Sequence, residues 1–263
     1  MELAGSRVLL TGASAGIGAA LAPMLAARGA TVALVGRRAD RLDEVLAACR
    51  AFVPGCARYP ADLSVPEGAE ALAGEIADDL GGVDVLINNA GSPMRRRVQD
   101  LSVDDLQATM ATNFESPVRM ALALLPSMLE RDRGMVVNVS SFGGRVGIPA
   151  EAAYCASKFA LAGWSESMAL DLWHTGVDVR LMLPGAIDTE IWDRPGSDPA
   201  HYSGELEPPS TVAAAIIDAI EEEGAGFEHY VPNLKGIAEF KTSLIDDYLT
   251  GARAFADEAE RSD

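Results

Sequence analysis

The chain has 263 residues, 49% of them hydrophobic, and a formal net charge of −18. That charge disfavours nucleic acid and anionic membranes as general partners, and no apolar run is long enough to cross a bilayer. The length suits one large α/β domain over residues 1–263 better than two domains.

Cys49, Cys56 and Cys155 have no metal-ligand spacing, so no metal is expected. Met1 to Arg7 lead directly into a strand and leave no room for a signal peptide, which points to free thiols and a cytoplasmic location. Arg7–Thr11 reads as a short buried strand. The glycine-rich stretch Thr11–Gly18 follows, and then an alanine-rich helix to Arg28, with Gly29 as its C-terminal stop. Strand, glycine loop and helix together give such glycines a meaning: the backbone can approach a pyrophosphate, and the helix N-terminus offers unpaired N–H groups. Ala30–Val35 is a second strand and ends at Gly36-Arg37-Arg38. In a dinucleotide-binding unit an acid at this strand end bonds the ribose 2′-hydroxyl. Here that place holds glycine followed by two guanidinium groups, which suit a 2′-phosphate, so NADP(H) is favoured and NAD(H) stays possible. The same arginines would also suit a solvated helix start.

Asp40–Arg50 reads as a helix, Cys56–Pro60 as a third strand, and Pro66–Leu80 as a helix capped by Ser64. Val83–Ile87 is a fourth strand, running into Asn88-Asn89-Ala90-Gly91. Arg95-Arg96-Arg97 reads as a solvated loop, or else as a landing place for an anionic group. Leu101–Leu129 reads as one long helix with Asn113 and Pro117 inside it. Proline has no N–H for the carbonyl four residues before it, so Asn113 should have an unbonded backbone oxygen and a kink, with or without chemical use.

Met135–Val139 is a buried strand that ends at Ser140-Ser141, where open α/β sheets place ligands. Ala150–Trp173 reads as a helix carrying Tyr154 and, four residues on, Lys158 on the same face. An ammonium beside a phenol favours phenolate and lowers the tyrosine pKa, so this tyrosine could exchange a proton with an alcohol or carbonyl oxygen. Gly176 should end the helix. Val177–Leu183 is a sixth strand, broken by Pro184-Gly185. Residues 190–209 form a long Pro- and Gly-containing segment, a candidate substrate loop that is mobile without substrate. A helix at Ser210–Glu223, an edge strand at His229–Pro232 and a helical tail over 236–263 complete the chain. The alternation implies a Rossmann-type doubly wound parallel sheet of seven strands, order 3-2-1-4-5-6-7, with helices on both faces.

Taken together, Thr11-Gly-x-x-x-Gly16-x-Gly18, Asn88-Asn-Ala-Gly91, Asn113, Ser141, Tyr154-x-x-x-Lys158 and Pro184-Gly185 stand in order and at family spacing. On them the chain resembles the short-chain dehydrogenase/reductase family, in its compact single-domain branch, over roughly Ser6 to Thr189. The resemblance implies an oxidoreductase working between nicotinamide and a small-molecule carbonyl or alcohol. Tyr154 would be general acid/base and Ser141 would hold the substrate oxygen. Lys158 would lower the tyrosine pKa and bond the nicotinamide ribose, and Asn113 would hold a relay water through its carbonyl. The cofactor would lie against Gly12, Ser14, Ala15, Gly16, Ile17 and Gly18, with Arg37 and Arg38 at the ribose and Asp62 near the adenine. Asn89 would lie toward the adenosine side, and Thr189 would touch the carboxamide. Leu63, Ala90, Gly91, Tyr154, Lys158, Pro184, Gly185 and Ile187 complete that set. Family members are commonly homotetramers or homodimers. Two other readings are a 3-oxoacyl-thioester reductase working on carrier-protein or CoA substrates, and a non-catalytic nucleotide-binding regulator.

Overall fold

Alternate residues of each central strand point to opposite sides of one sheet, and both sides are apolar. Val8, Leu10, Val32, Leu34, Val85 and Ile87 belong to one buried cluster. Leu9, Ala33, Val35 and Leu86 belong to the other. Strands buried on both faces read as unbroken hydrophobic runs, and they force helices onto both sides of the sheet.

The structure, a computed structural model, describes residues 1–193, 196–200, 202, 204–245 and 247–249. The elements run β1 (Arg7–Thr11), α1 (Gly16–Ala27), β2 (Thr31–Gly36), α2 (Ala39–Arg50), β3 (Ala57–Pro60), α3 (Ala69–Leu80) and β4 (Val85–Asn88). The second half runs α4 (Val103–Met110), α5 (Ser116–Glu130), β5 (Gly134–Val139), α6 (Ala152–Asp171), β6 (Val177–Pro184), α7 (Pro209–Glu221), β7 (Glu228–Val231) and α8 (Lys235–Ser243). The seven strands lie in the expected order, β3-β2-β1-β4-β5-β6-β7, and every adjacent pair is parallel. Helices α1, α2 and α7 cover one face; α3, α5 and α6 cover the other. The strand order reverses between β1 and β4, which opens a crevice at their C-terminal ends.

Four local expectations need correction. The long helix over Leu101–Leu129 is two helices joined by a π-helical turn at Ala111–Glu115, with Pro117 in the first turn of α5. The Ser116 N–H reaches back five residues to the Ala111 carbonyl. Proline therefore widens the helix into a wider turn, a device often found at functional sites. Ser64 caps nothing: its hydroxyl and N–H both bond the Asp62 carboxylate, at 2.8 and 3.0 Å. A short 3₁₀ turn at Pro66–Gly68 precedes α3 instead. The helix carrying Tyr154 stops at Asp171, before Gly176. The expected tail helix is interrupted, since α8 ends at Ser243 with Leu244 outside helical geometry; Asp246 and residues 250–263 lie outside the described residues.

No helix among the described residues is long and apolar enough to cross a membrane. Cys49, Cys56 and Cys155 are buried free thiols. No cluster of three or more His, Cys, Asp or Glu suited to a metal occurs among the described residues.

Candidate active site

The glycine loop owes its shape to two positive-φ residues, Gly12 at φ +67° and Gly16 at φ +53°. A side chain at Gly12 would meet the Ala90 backbone at 2.8 Å, and one at Gly18 would run into the Gly12 carbonyl. Asn89 fixes the loop from below. Its amide donates to the Thr11 carbonyl at 3.0 Å, while the Thr11 hydroxyl accepts from the N–H groups of Asn89 and Ala90 at 3.0 Å each. Asn89 thus holds the loop itself. The first turn of α1 has no side-chain cap at Ala15. An uncapped helix N-terminus behind a glycine cradle fits a pyrophosphate.

That cradle is one end of a cavity of about 1700 Å³ that continues over the strand ends. Gly12, Ser14, Ala15, Gly16, Ile17, Arg37, Arg38, Asp62 and Leu63 line its first half. Asn89, Ala90, Gly91, Ser141, Tyr154, Lys158, Pro184, Gly185, Ile187 and Thr189 line the rest. Gly18 and Asn113 do not reach the surface of the cavity: Gly18 sits beneath the loop, and Asn113 is fully buried behind it.

At the far end, β5 delivers Ser141 and α6 delivers Tyr154 and Lys158. The two elements are fastened by the Ser140 hydroxyl, which donates to the Lys158 carbonyl at 2.9 Å. The Ser141 oxygen accepts from the Gly143 N–H at 3.0 Å, which leaves its own proton available to another acceptor. The Lys158 ammonium donates to the Val139 carbonyl at 2.9 Å and stands 5.9 Å from the centroid of the Tyr154 ring. Burial holds Lys158 down at about 8. Burial also drives the Tyr154 phenol above its ordinary value, with the Ser141 hydroxyl pulling the other way. This corrects the expected direction: with the ammonium committed to a backbone carbonyl, the largest influence on the phenol is loss of solvent, which disfavours phenolate.

Asn113 spends its whole side chain on structure. Its oxygen accepts from the Ser92 N–H at 2.7 Å. Its amide donates to the Ser92 carbonyl and to the Ser157 hydroxyl at 2.9 Å each. The π-helical turn is thereby tied to α6 and to the segment after Gly91. The backbone carbonyl, which Pro117 deprives of its usual donor, remains as the group with chemistry to offer.

Glu190, Arg95 and Glu151 also line the cavity, with no sequence motif to mark them as site residues. Glu190 receives Arg38 at 2.6 Å, with Arg41 at 3.9 Å. Arg95 is buried, so the expectation of a solvated Arg95–Arg97 loop fails for its first member. Glu151 lines the cavity one helical turn before Tyr154, and burial raises its carboxyl to about 7, opposed by Arg95. A raised acid pKa means that the native state holds the proton longer than the unfolded chain. Stability from this group is full at low pH and is lost as pH climbs through the folded value. Glu151→Gln should therefore raise the melting temperature at about pH 8 and change it little at about pH 4; equal shifts at both would refute this account of the carboxyl.

The short chain dehydrogenase family model matches residues 6–199. Ketoacyl reductase HetN of Nostoc sp. (strain PCC 7120 / SAG 25.82 / UTEX 2576) is 32% identical over 243 residues, 92% of this chain and 84% of that protein. Several other curated relatives are longer, and the matched part of this chain spans 52% of a mycobacterial oxidoreductase and 58% of a bovine dehydrogenase/reductase. A short-chain dehydrogenase from Sphingobium yanoikuyae solved with NADPH superposes with a TM-score of 0.80 at 27% identity, covering 95% of both chains. One from Burkholderia phymatum solved with NAD shares the fold, with a TM-score of 0.83 at 24% identity over 94% of this chain and 96% of that one. A glycine cradle, a Ser–Tyr–Lys group at the strand ends and a family match over most of the chain lead to one conclusion: this protein belongs to the short-chain dehydrogenase/reductase family of oxidoreductases.

Proposed function

We propose that the chain is an NADP(H)-dependent oxidoreductase that interconverts a small-molecule carbonyl and its secondary alcohol, with Tyr154 as general acid/base. The observation that carries this reading is the shared cavity. The Ser141 hydroxyl, Tyr154 phenol and Lys158 ammonium line the same space as the glycine cradle and the N-terminal end of α1. Bound along that cavity, the nicotinamide cofactor supplies or accepts the hydride. The chain's residues do the rest. As charge grows on the carbonyl oxygen, Ser141 and Tyr154 donate hydrogen bonds to it. Tyr154 then gives up its proton: burial keeps the phenol protonated in the free protein, and a positive charge nearby is needed to favour the phenolate that the transfer leaves. Lys158 places a positive charge near the phenol, 5.9 Å from the ring centroid, and a water reaching the buried Asn113 carbonyl from the cavity would return the proton. An NADPH-oxidation screen over ketones, aldehydes, quinones and 3-oxoacyl thioesters tests the reading; no turnover of any carbonyl despite NADPH binding would defeat it.

NADP(H) is proposed over NAD(H) because Arg37 and Arg38 stand at the cavity edge beyond β2. Gly36 puts no acid there, and a Cβ at that position would press on the Ser14 hydroxyl at 3.2 Å. A 2′-phosphate would compete with Glu190 for Arg38. Arg37→Ala and Arg38→Ala should weaken NADPH by about tenfold or more and leave NADH nearly unchanged, because a charged hydrogen bond contributes about 1.5–3 kcal/mol. Glu190→Gln should tighten NADPH by no more than about fivefold, since the pair it removes is exposed. Equal affinities of wild type for both cofactors would overturn the preference.

The second reading, a 3-oxoacyl-thioester reductase, draws support from the name of the Nostoc relative. Of Arg95 to Arg97, Arg131 and Arg133, the cations that could dock an acidic carrier, three are otherwise engaged, while Arg133 is exposed. Arg95 is buried, Arg96 pairs with Asp105 and Arg131 pairs with Asp84. A non-catalytic regulator ranks last, because it has no use for an intact Asn113, Ser141, Tyr154 and Lys158 set. A homotetramer or homodimer is proposed, supported by exposed Leu106 on α4, Leu122 and Leu129 on α5, and Leu170 on α6.

A further inference from the structure

Arg95 is 3% exposed, and the carboxylate that feels its charge, Glu151, is not within ion-pair distance of a cation among the described residues. The arginine's charge is met by main-chain oxygens instead. Nε donates to the Asp198 carbonyl at 2.9 Å, Nη1 and Nη2 both reach the Ile191 carbonyl at 3.2 Å, and Nη2 reaches the Trp192 carbonyl at 2.6 Å. The guanidinium also stands 5.8 Å from the centre of the Trp192 ring. The backbone adds to the clamp, with the Asp198 N–H donating to the Arg95 carbonyl at 2.8 Å. Trp192, so held, stacks on Tyr202 at 6.0 Å between ring centroids and 23° between planes. Both rings line the cavity beyond Tyr154.

The anchor at the other end is firm. Ser92, three residues before Arg95, is bonded on both its N–H and its carbonyl by the buried Asn113 side chain. Arg96 donates to Asp105 at 2.7 Å and to the Gly196 carbonyl at 2.6 Å. A single fork with five donors can gather several carbonyls at once, whereas a lysine offers a point charge.

We propose that Arg95 is the positioning residue of the substrate site: by gathering the carbonyls of Ile191, Trp192 and Asp198 it sets the Trp192–Tyr202 pair as a fixed wall against which a bulky aromatic or alicyclic carbonyl substrate packs. This rests on reading the chain as a carbonyl oxidoreductase. It departs from the expectation of a loop that is mobile throughout without substrate, for Ile191, Trp192 and Asp198 are fastened by the arginine.

The test uses the full chain with NADPH and two probes, acetonaphthone as the bulky aromatic ketone and diacetyl as a small one. Arg95→Met should lower kcat/KM for acetonaphthone by about tenfold or more, chiefly through KM, with diacetyl turnover and NADPH affinity within about twofold of wild type. Arg95→Lys should not restore acetonaphthone, because an ammonium's three donors sit on one nitrogen and do not span carbonyls met separately by Nε, Nη1 and Nη2. Trp192→Ala, which keeps the arginine and removes the wall, should show the same selective loss if Arg95→Met does not fold. Hydrogen exchange is read as well: Arg95→Met should speed exchange at Ile191, Trp192 and Asp198 and not in α4. Unchanged exchange there, or equal losses on both ketones, would overturn the proposal. Absence of wild-type turnover of either ketone would count against the carbonyl reading, while the exchange result would still decide the role of Arg95.

Discussion

Tyr154→Phe should abolish turnover while NADPH still binds. The change removes one oxygen and keeps the ring, so the packing of α6 against β5 is preserved. That oxygen is the proton source nearest to the place where charge develops, and general acid catalysis is typically worth about 10²–10⁴-fold. Ser141→Ala should lose less, since it removes one of two donors to the developing oxyanion, a loss of about 10²–10³-fold where such a donor has been removed elsewhere. The pH profile adds a sharper check. Burial raises the Tyr154 phenol in the free protein, so in the reducing direction the acid form persists through neutral pH and the rate should hold flat there. In the oxidising direction the phenolate is needed, and the rate should climb with pH. The charge brought close by the ternary complex decides where that limb lies. A substrate reduced at near wild-type rate by Tyr154→Phe would mean that the proton comes from elsewhere.

Much of this site is readable in the sequence because it lies where strands end. Buried strands show as continuous apolar runs, and Ser141, Gly36 and Pro184 mark their C-terminal ends. Pro117 announces a missing donor for Asn113, and the structure answers with the π-helical turn at Ala111–Glu115. What the sequence conceals are choices among like residues and contacts over long separations. Arg95, Arg96 and Arg97 look alike in a row, yet the carbonyls that bury Arg95 lie 96 to 103 residues away. Ser64 has the right identity for an N-cap, but Asp62 two residues earlier captures it. The direction of the Tyr154 shift is hidden too, because spacing reveals the ammonium and not the burial. Glu151 shows no signal at all: a glutamate at the start of a helix is commonplace, and only its place on the wall of the cavity sets it apart.

Lys158→Met should give a protein that is more stable near neutral pH and inactive. Burial lowers the ammonium from its ordinary 10.5 to about 8, a drop that corresponds to roughly 3 kcal/mol of native-state strain on the charged form. The sign follows from proton counting. Below about pH 8 both native and unfolded chains hold the proton, and the native state bears the whole desolvation penalty. Between that value and 10.5 the unfolded chain holds more protons than the native one, so wild-type stability rises with pH. Methionine is close in size and carries no charge, so the penalty disappears at every pH. Against this, the Val139 carbonyl loses its donor, which costs about 1–3 kcal/mol. The net gain near pH 7 is then on the order of 1 kcal/mol, a few degrees in Tm for a chain of this size, and it should turn into a deficit from about pH 9 upward, since wild type regains about 1.4 kcal/mol per pH unit between the two pKa values. Activity should fall by at least about 10²-fold, and NADPH affinity should fall with it, because the same ammonium faces the cofactor cavity. Thermal unfolding of both proteins across pH, with NADPH titration at pH 7, reads all three effects. A variant less stable than wild type at neutral pH, or one that keeps its turnover, would show that the buried charge of Lys158 serves the fold and not the reaction.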